Sequence, residues 1–344
     1  MTMTTIASAL PDPGPVPPLS VAMSVYNGAR FLESAIDSVL AQDFNDFEFL
    51  IIDDGSTDAT PDILRAYALR DPRVRPLIRE NRGLVASLNQ LLGLARAPLV
   101  ARMDADDIAM PERFSTQLAY LSDHPECGVL GSWTQDIDED GEPYVTGGPD
   151  HPISHAQFLD HVANGGPLLA HPAVIYRRDV VLAVGGYHQA FRHCEDFDLW
   201  LRLADRTQIA NVPVRLLRYR HYAGQVSNRH ALEQQIGVAV ARAAHEEREA
   251  GRPDPTEHLA ALPPIEQLDH LFGRPGVAQQ VRGRAARALV YSRDAMTGPG
   301  FDLLLRHVDE GGRGADLWRT AARLMRFGEP ARAWRLATAL AARR

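Results

Sequence analysis

Near its amino terminus the chain alternates apolar runs of strand length with stretches of helical periodicity, and three of those runs end in polar or acidic clusters. Residues 21–25 predict a strand, and residues 31–40 follow with Phe31, Leu32, Ala35, Ile36 and Val39 at helical spacing. Residues 47–52 form an apolar run closed by Asp53-Asp54-Gly55-Ser56. A helix is expected over 60–70 with Pro61 in its first turn, a strand over 74–78, and a helix over 84–95. A further strand over 99–103 runs into Asp104. Such alternation means parallel strands joined by helical crossovers, an α/β architecture with a mainly parallel central sheet. In sheets of this kind ligands sit outside the carboxyl ends of the strands. Tyr26-Asn27, Asp53-Asp54 and Asp104–Asp107 all fall at such ends.

Composition narrows the partners. The 344 residues carry a formal net charge of −8, which excludes the basic footprint of a dedicated nucleic-acid binder. The two cysteines, Cys127 and Cys194, form neither a zinc spacing nor a disulfide framework, and a reducing cytoplasm fits them. No window approaches the roughly 18 apolar residues of a membrane span, so a soluble or peripheral protein is expected. Residues 1–18 read as a disordered, proline-rich leader without the basic region of a secretory signal. Residues 19–230 read as the principal domain. Residues 231–344, rich in alanine, arginine, leucine and glutamate, read as a helical region.

The densest chemistry lies in Asp104-Ala105-Asp106-Asp107. Residues two apart on an extended or turning backbone present carboxylates to one side, and such oxygens suit Mg²⁺ or Mn²⁺ shared with substrate phosphates. A solvated acidic turn ahead of the helix beginning near Pro111 is the plainer alternative. Asp53 and Asp54 likewise have a turn-and-cap explanation.

Several blocks follow in one order: residues 21–27, Asp53-Asp54-Gly55-Ser56-Thr57-Asp58, Asn81-Arg82-Gly83-Leu84 with Asn89, and Asp104–Asp107 followed by Met110-Pro111-Glu112-Arg113. Glu195-Asp196-Phe197-Asp198-Leu199-Trp200 then matches an E-D-x-D-L-W pattern, and Tyr219-Arg220 with residues 224–227 matches a Y-R-x-H-x-G-x-x-S segment. Together these blocks, spread over residues 19–230, resemble family-2 glycosyltransferases of the GT-A fold.

The resemblance implies an inverting transfer of a sugar from a nucleotide-diphosphate sugar, UDP-linked by family habit, to a hydroxyl of a glycan or lipid-linked acceptor. It also implies roles. Ser24, Tyr26 and Asn27 border the nucleotide, and Asp53 and Asp54 offer a carboxylate to the base, Asp54 being favoured. Asp104 lies near the ribose or sugar, and Asp106 with Asp104 holds Mn²⁺ or Mg²⁺. Arg82 is placed to pair with phosphate or stack on the base, or is simply solvated. Asp196 is the candidate catalytic base, beside Glu195, with Asp198 structural. His171 is a candidate acceptor or donor-sugar contact. His221 departs from the pattern, because the family's histidine falls two residues after the Tyr-Arg pair, where this chain has Tyr222. A shift by one turns a side chain to the other face of an extended segment, so an auxiliary role for His221 competes with a packing one.

Near the carboxyl terminus Trp318, Leu324, Met325, Phe327, Trp334, Leu336 and Leu340 share helices with Arg319, Arg323, Arg326, Arg332, Arg335, Arg343 and Arg344. Packing on the rest of the chain or homo-oligomer formation is expected, and peripheral contact with the inner membrane face is the alternative. Two other functions compete. A sugar-nucleotide nucleotidyltransferase would open with a G-x-G-T-R loop, which residues 24–30 lack. A non-catalytic carbohydrate-binding or scaffold protein would be expected to lose the carboxylates. A dehydrogenase fails for want of G-x-G-x-x-G after the first strand.

Overall fold

The computed structural model describes residues 15–145, 150–222, 224 and 230–342. Most of the expected leader, residues 1–14, lies outside them. The chain divides into two units. Of the described residues, the first takes those up to 135 with 169–182 and 210–219, and the second takes those within 136–168, 183–209 and from 220 onward. Three stretches from inside 19–230, the described residues of 136–168, 183–209 and 220–230, fall in the same unit as the carboxyl-terminal helices.

In the first unit β1 (Leu19–Val25), α1 (Ala29–Leu40), β2 (Phe47–Asp53), α2 (Thr60–Arg70), β3 (Val74–Ile78), α3 (Leu84–Leu94) and β4 (Leu99–Asp104) follow one another as expected. β1 pairs in parallel with both β2 and β4, and β2 with β3. All of β2 and nearly all of β1 is buried, the signature of strands covered on both faces. α1 buries Phe31, Leu32, Ala35, Ile36 and Val39, and α3 buries Val85, Leu88, Leu91 and Leu92. Each such side chain contributes about 1.5–3 kcal/mol when fully buried.

The sheet continues past β4 with a different sense. After β5 (Ile108–Ala109), α4 (Arg113–Asp123) and β6 (Cys127–Ile137), the strand β7 (Ile175–Arg177) runs antiparallel to β4 and β6. β8 (Gln208–Arg220) runs antiparallel to β5, and the eight strands lie in the order β3-β2-β1-β4-β7-β6-β8-β5. The β3-β2-β1-β4 stretch pairs in parallel and is built by successive strand–helix–strand crossovers.

Glu48 interrupts the apolar run of β2 and is buried. It accepts from Ser20 Oγ at 2.7 Å and the Arg96 backbone N–H at 2.9 Å, and pairs with the Arg75 and Arg96 guanidiniums. Burial alone would raise its pKa, but the Ser20 and Arg96 hydrogen bonds and the Arg96 charge hold it below the ordinary 4.5.

The second unit is largely helical. It holds α5 (His155–Asn164), α7 (Glu195–Ala204), α8 (Ala231–Glu249), α9 (Leu268–Leu271), α10 (Val277–Leu289), α11 (Arg293–Thr297), α12 (Gly300–Asp309), α13 (Ala315–Arg326) and α14 (Pro330–Ala341), while α6 (Arg178–Ala183) belongs mainly to the first unit. α8 lies against the start of α7, where a Cβ at Gly237 would collide with Cys194 Sγ. Leu317, Ala321, Leu324, Leu336 and Leu340 close a core with Leu289, Met296, Phe301 and Leu304. Arg332 stacks on Phe301 of this core at 5.2 Å, and Arg323 stacks on the exposed Tyr291 at 4.3 Å.

Candidate active site

The carboxyl ends of β1, β2 and β4 are adjacent by construction. Ser24 lies in register with Ile52 on one side and Asp104 on the other. The loop after β1 is stitched to the loop after β2. Asn27, in the left-handed region at φ 52°, accepts the Thr57 N–H at 2.8 Å and donates its own N–H to Ser56 Oγ at 2.8 Å. The Gly28 N–H donates to Thr60 Oγ1 and the Ala29 N–H to Asp58. Asn27 therefore shapes the loop with its amide oxygen, while Tyr26 beside it is more than half exposed.

Asp53 and Asp54 are both buried but differ in what they do. Asp53 Oδ1 accepts the Ser56 N–H at 3.0 Å, and Oδ2 is buried without a hydrogen-bond partner among the described residues. The Asp54 carboxylate accepts the Arg82 N–H at 3.0 Å and the Gly83 N–H at 2.8 Å, and pairs with the Arg79 guanidinium at 2.9 Å. Asp54 thereby fixes the loop that presents the exposed Arg82. Close approach of the two loops requires Gly55, at φ 83°, since a Cβ there would meet the Asn81 backbone nitrogen at 2.6 Å.

After β4, the carboxylates of Asp104, Asp106 and Asp107 bring ligand oxygens within 4.8 Å of one another. Asp104 pairs with the buried Arg102. Arg113, from the Met110–Arg113 block, is fully buried beneath them. It donates to the Arg102 carbonyl at 2.8 Å, the Val174 carbonyl at 3.3 Å and Gln117 Oε1 at 3.1 Å. Burial pushes its pKa down to about 9, the Asp107 charge opposing and the Arg102 charge adding to the fall. His171, in a short turn over His171–Ala173, is buried, and burial together with the Arg102 charge pulls its pKa well down, so it is neutral at physiological pH. No peptide bond among the described residues is cis, so the turn at His171-Pro172 is a trans one.

Three hard oxygen donors around one point, with two arginines behind them, fit a divalent cation whose remaining ligands are phosphate oxygens or water. Asp107 takes part in this cluster together with Asp104 and Asp106.

Glu195, Asp196 and His221 belong to the second unit. Glu195 is buried and Asp196 half-buried at the first turn of α7, and an Asp196 oxygen accepts the Phe197 N–H at 2.7 Å. Asp198 is buried and pairs with Arg202 at 2.6 Å; Arg202 also donates to the Val184 and Gly186 carbonyls. Burial, reinforced by the neighbouring Asp196 and Glu195 charges, pushes the Cys194 thiol well up, so it stays protonated and is no nucleophile. His221 Nε2 lies 2.8 Å from Asp136 Oδ1, and its ring meets Tyr144 at 5.7 Å. Of the closing segment, residues 225–227 lie outside the described residues.

Sequence reasoning missed Arg79 and Arg102, and did not count Asp107 among the metal ligands. Their signals were weak: an arginine just past a strand, one inside an apolar strand, and a third acid beyond a two-acid motif.

A sheet whose acid-bearing strand ends lie side by side in this way is that of the GT-A fold. The structure of Staphylococcus aureus TarS residues 1–349 in complex with UDP-GlcNAc shares this fold, with a TM-score of 0.56 over 94% of this chain and 90% of that one at 17% identity. The model of the glycosyl transferase family 2 matches residues 20–185. The amylovoran biosynthesis glycosyltransferase AmsE of Erwinia amylovora is 32% identical over 217 residues, covering 61% of this chain and 79% of that protein. The O-antigen biosynthesis glycosyltransferase WbnJ of Escherichia coli is 30% identical over 211 residues, covering 59% and 79%. The chain belongs to glycosyltransferase family 2.

Proposed function

We propose that the chain is an inverting, metal-dependent glycosyltransferase that moves a sugar from a UDP-sugar to a hydroxyl of a glycan or lipid-linked acceptor in cell-surface polysaccharide synthesis. The observation that carries this is the Asp104–Asp106–Asp107 cluster at the end of β4, in register with Ser24, on a chain of this family. The relatives named for amylovoran and O-antigen synthesis support the polysaccharide setting. Free, buried Cys127 and Cys194 agree with a cytoplasmic site of action.

In this mechanism Tyr26 offers an exposed ring to the base. Its imide N–H goes to the Asp53–Asp54 pair. Asp54 already accepts three donors, which leaves Asp53 Oδ2 as the oxygen with spare capacity and shifts the base contact from Asp54 toward Asp53. The Arg82 guanidinium, exposed on the loop that Asp54 holds, takes phosphate charge. Asp104 and Asp106, with Asp107, hold Mn²⁺ or Mg²⁺, which when bound neutralises charge gathering on the diphosphate as the sugar–phosphate bond breaks. Asp196 removes the acceptor hydroxyl's proton while that oxygen attacks the anomeric carbon opposite the leaving UDP, with Glu195 beside it. His171, neutral and next to Arg102, serves as a hydrogen-bonding wall for the donor sugar. His221, engaged with Asp136, positions its own segment.

A peripheral membrane role is favoured by a specific surface. On α13 and α14 Trp318, Met325 and Trp334 are exposed, and Arg319, Arg326 and Arg335 are exposed beside them. Aromatic rings flanked by arginines suit an anionic headgroup layer.

Calorimetry with UDP, with and without Mn²⁺, followed by a screen of nucleotide sugars for transfer, tests the function. Metal-dependent UDP binding with turnover is expected. Binding of glycan alone, without UDP binding, would identify a carbohydrate-binding module instead.

A further inference from the structure

We propose that His193, His230 and Glu233 form a second metal site, for a Zn²⁺-class transition-metal ion, separate from the carboxylate cluster on β4. Their ligand atoms all lie within 4.8 Å of one another. His193 Nε2 is 3.6 Å and His230 Nδ1 is 3.5 Å from the same oxygen, Glu233 Oε2. In a tetrahedral site with metal–ligand bonds of about 2.0–2.1 Å, neighbouring ligand atoms stand ~3.3 Å apart, so the two distances to Glu233 are within a few tenths of an ångström of those a bound ion would set. Two imidazoles and one carboxylate select zinc-class ions over Mg²⁺, which prefers an all-oxygen shell.

The local structure is built to bring these groups together. His230 and Glu233 sit one turn apart at the start of α8 and so share a face. The third ligand comes from a separate segment, just ahead of α7. His193 holds φ 67°, a conformation uncommon for a residue with a Cβ, and its carbonyl accepts from Gln234 Nε2 at 2.9 Å. The imidazoles of His193 and His230 lie face to face, 4.0 Å apart and 11° from parallel, so an ion binds both only after one ring turns about its Cβ–Cγ bond to bring its in-plane lone pair to the shared point. His230 and Glu233 also line a cavity of about 710 Å³ with Arg192, Leu232, Pro263 and Asp294, which leaves room for water or an anionic group on the ion. An ion here would clamp the start of α8 to the strained residue three positions before Asp196. The inference stands whether or not the chain transfers a sugar.

The test uses the full chain stripped with chelator, in buffer with excess Mg²⁺ to occupy oxygen-ligand sites. Zn²⁺ uptake is measured by calorimetry and melting temperature, and Co²⁺ coordination by visible absorption. One Zn²⁺ per chain is expected, retained in Asp106→Asn. His193→Asn, chosen because asparagine tolerates positive φ, and Glu233→Gln should each weaken Zn²⁺ binding by at least ~10-fold and abolish the zinc-dependent rise in melting temperature. Circular dichroism verifies that each variant is folded, and His230→Gln supplies the same reading if one is not. The assignment is overturned if the parent takes up no Zn²⁺, or if folded variants bind it as the parent does.

Discussion

Replacing Asp54 with alanine should unfold the site before it disables it. The Asp54 side chain is 4% exposed, and its partner Arg79 is 8% exposed. Removing the carboxylate strands a buried guanidinium, a change that typically costs about 3–5 kcal/mol. It also strips two backbone N–H groups, of Arg82 and Gly83, of their acceptors. Solvent can reach this loop once it loosens, so part of that second penalty is relieved, and a total near 4 kcal/mol is a fair central figure. For a domain of 150–250 residues this corresponds to a fall of about 8–16 °C in melting temperature. Asp53→Asn makes the contrast. It keeps an oxygen for the Ser56 N–H and neutralises a buried oxygen that has no partner among the described residues, so stability should change by less than about 1 kcal/mol. Donor affinity should nevertheless fall by about 10-fold or more if that oxygen reads the base. Thermal and urea unfolding with UDP calorimetry separate the two. An Asp54→Ala protein as stable as wild type would refute the buried-pair reasoning, and unaltered UDP affinity in Asp53→Asn would refute the base contact.

Glu48 gives a pH signature. Its folded pKa lies below the ordinary 4.5, so its stabilisation is present above that value and is lost as pH falls through the folded pKa. Urea unfolding between neutral and acid pH should show wild type losing stability more steeply than Glu48→Gln, which starts about 3 kcal/mol less stable at neutral pH. Parallel curves would count against the ion pair. Asp198→Ala should cost about 3–5 kcal/mol through the stranded Arg202, read by unfolding. Trp318→Ala with Trp334→Ala should reduce sedimentation with vesicles containing anionic lipid while leaving soluble-acceptor transfer intact. Equal sedimentation would argue for packing or self-association alone.

The parallel half of the sheet was legible because apolar runs and helical spacings follow one another with proline, glycine and aspartate marking the ends. The strand bounds of β3 came out unchanged, and those of β1, β2 and β4 moved by no more than two residues. The remainder was not legible for identifiable reasons. β7 is three residues long and takes its place from pairing with β4 and β6, which no local pattern announces. The second unit gathers stretches distant in sequence, and its apposition of Gly237 with Cys194 leaves no periodic trace. At the site, acids at strand ends were visible as types, but their individual duties were not. The donors that occupy Asp54 come from residues 25, 28 and 29 positions later, and only the fold brings them there.

The most direct measurement is the chemical step with Asp196 altered. Single-turnover transfer from the preferred nucleotide sugar, with Mn²⁺ present, should slow by about 10²–10⁴-fold in Asp196→Asn while UDP affinity stays as in wild type. A wild-type transfer rate in that variant would contradict the assignment of Asp196 as the base.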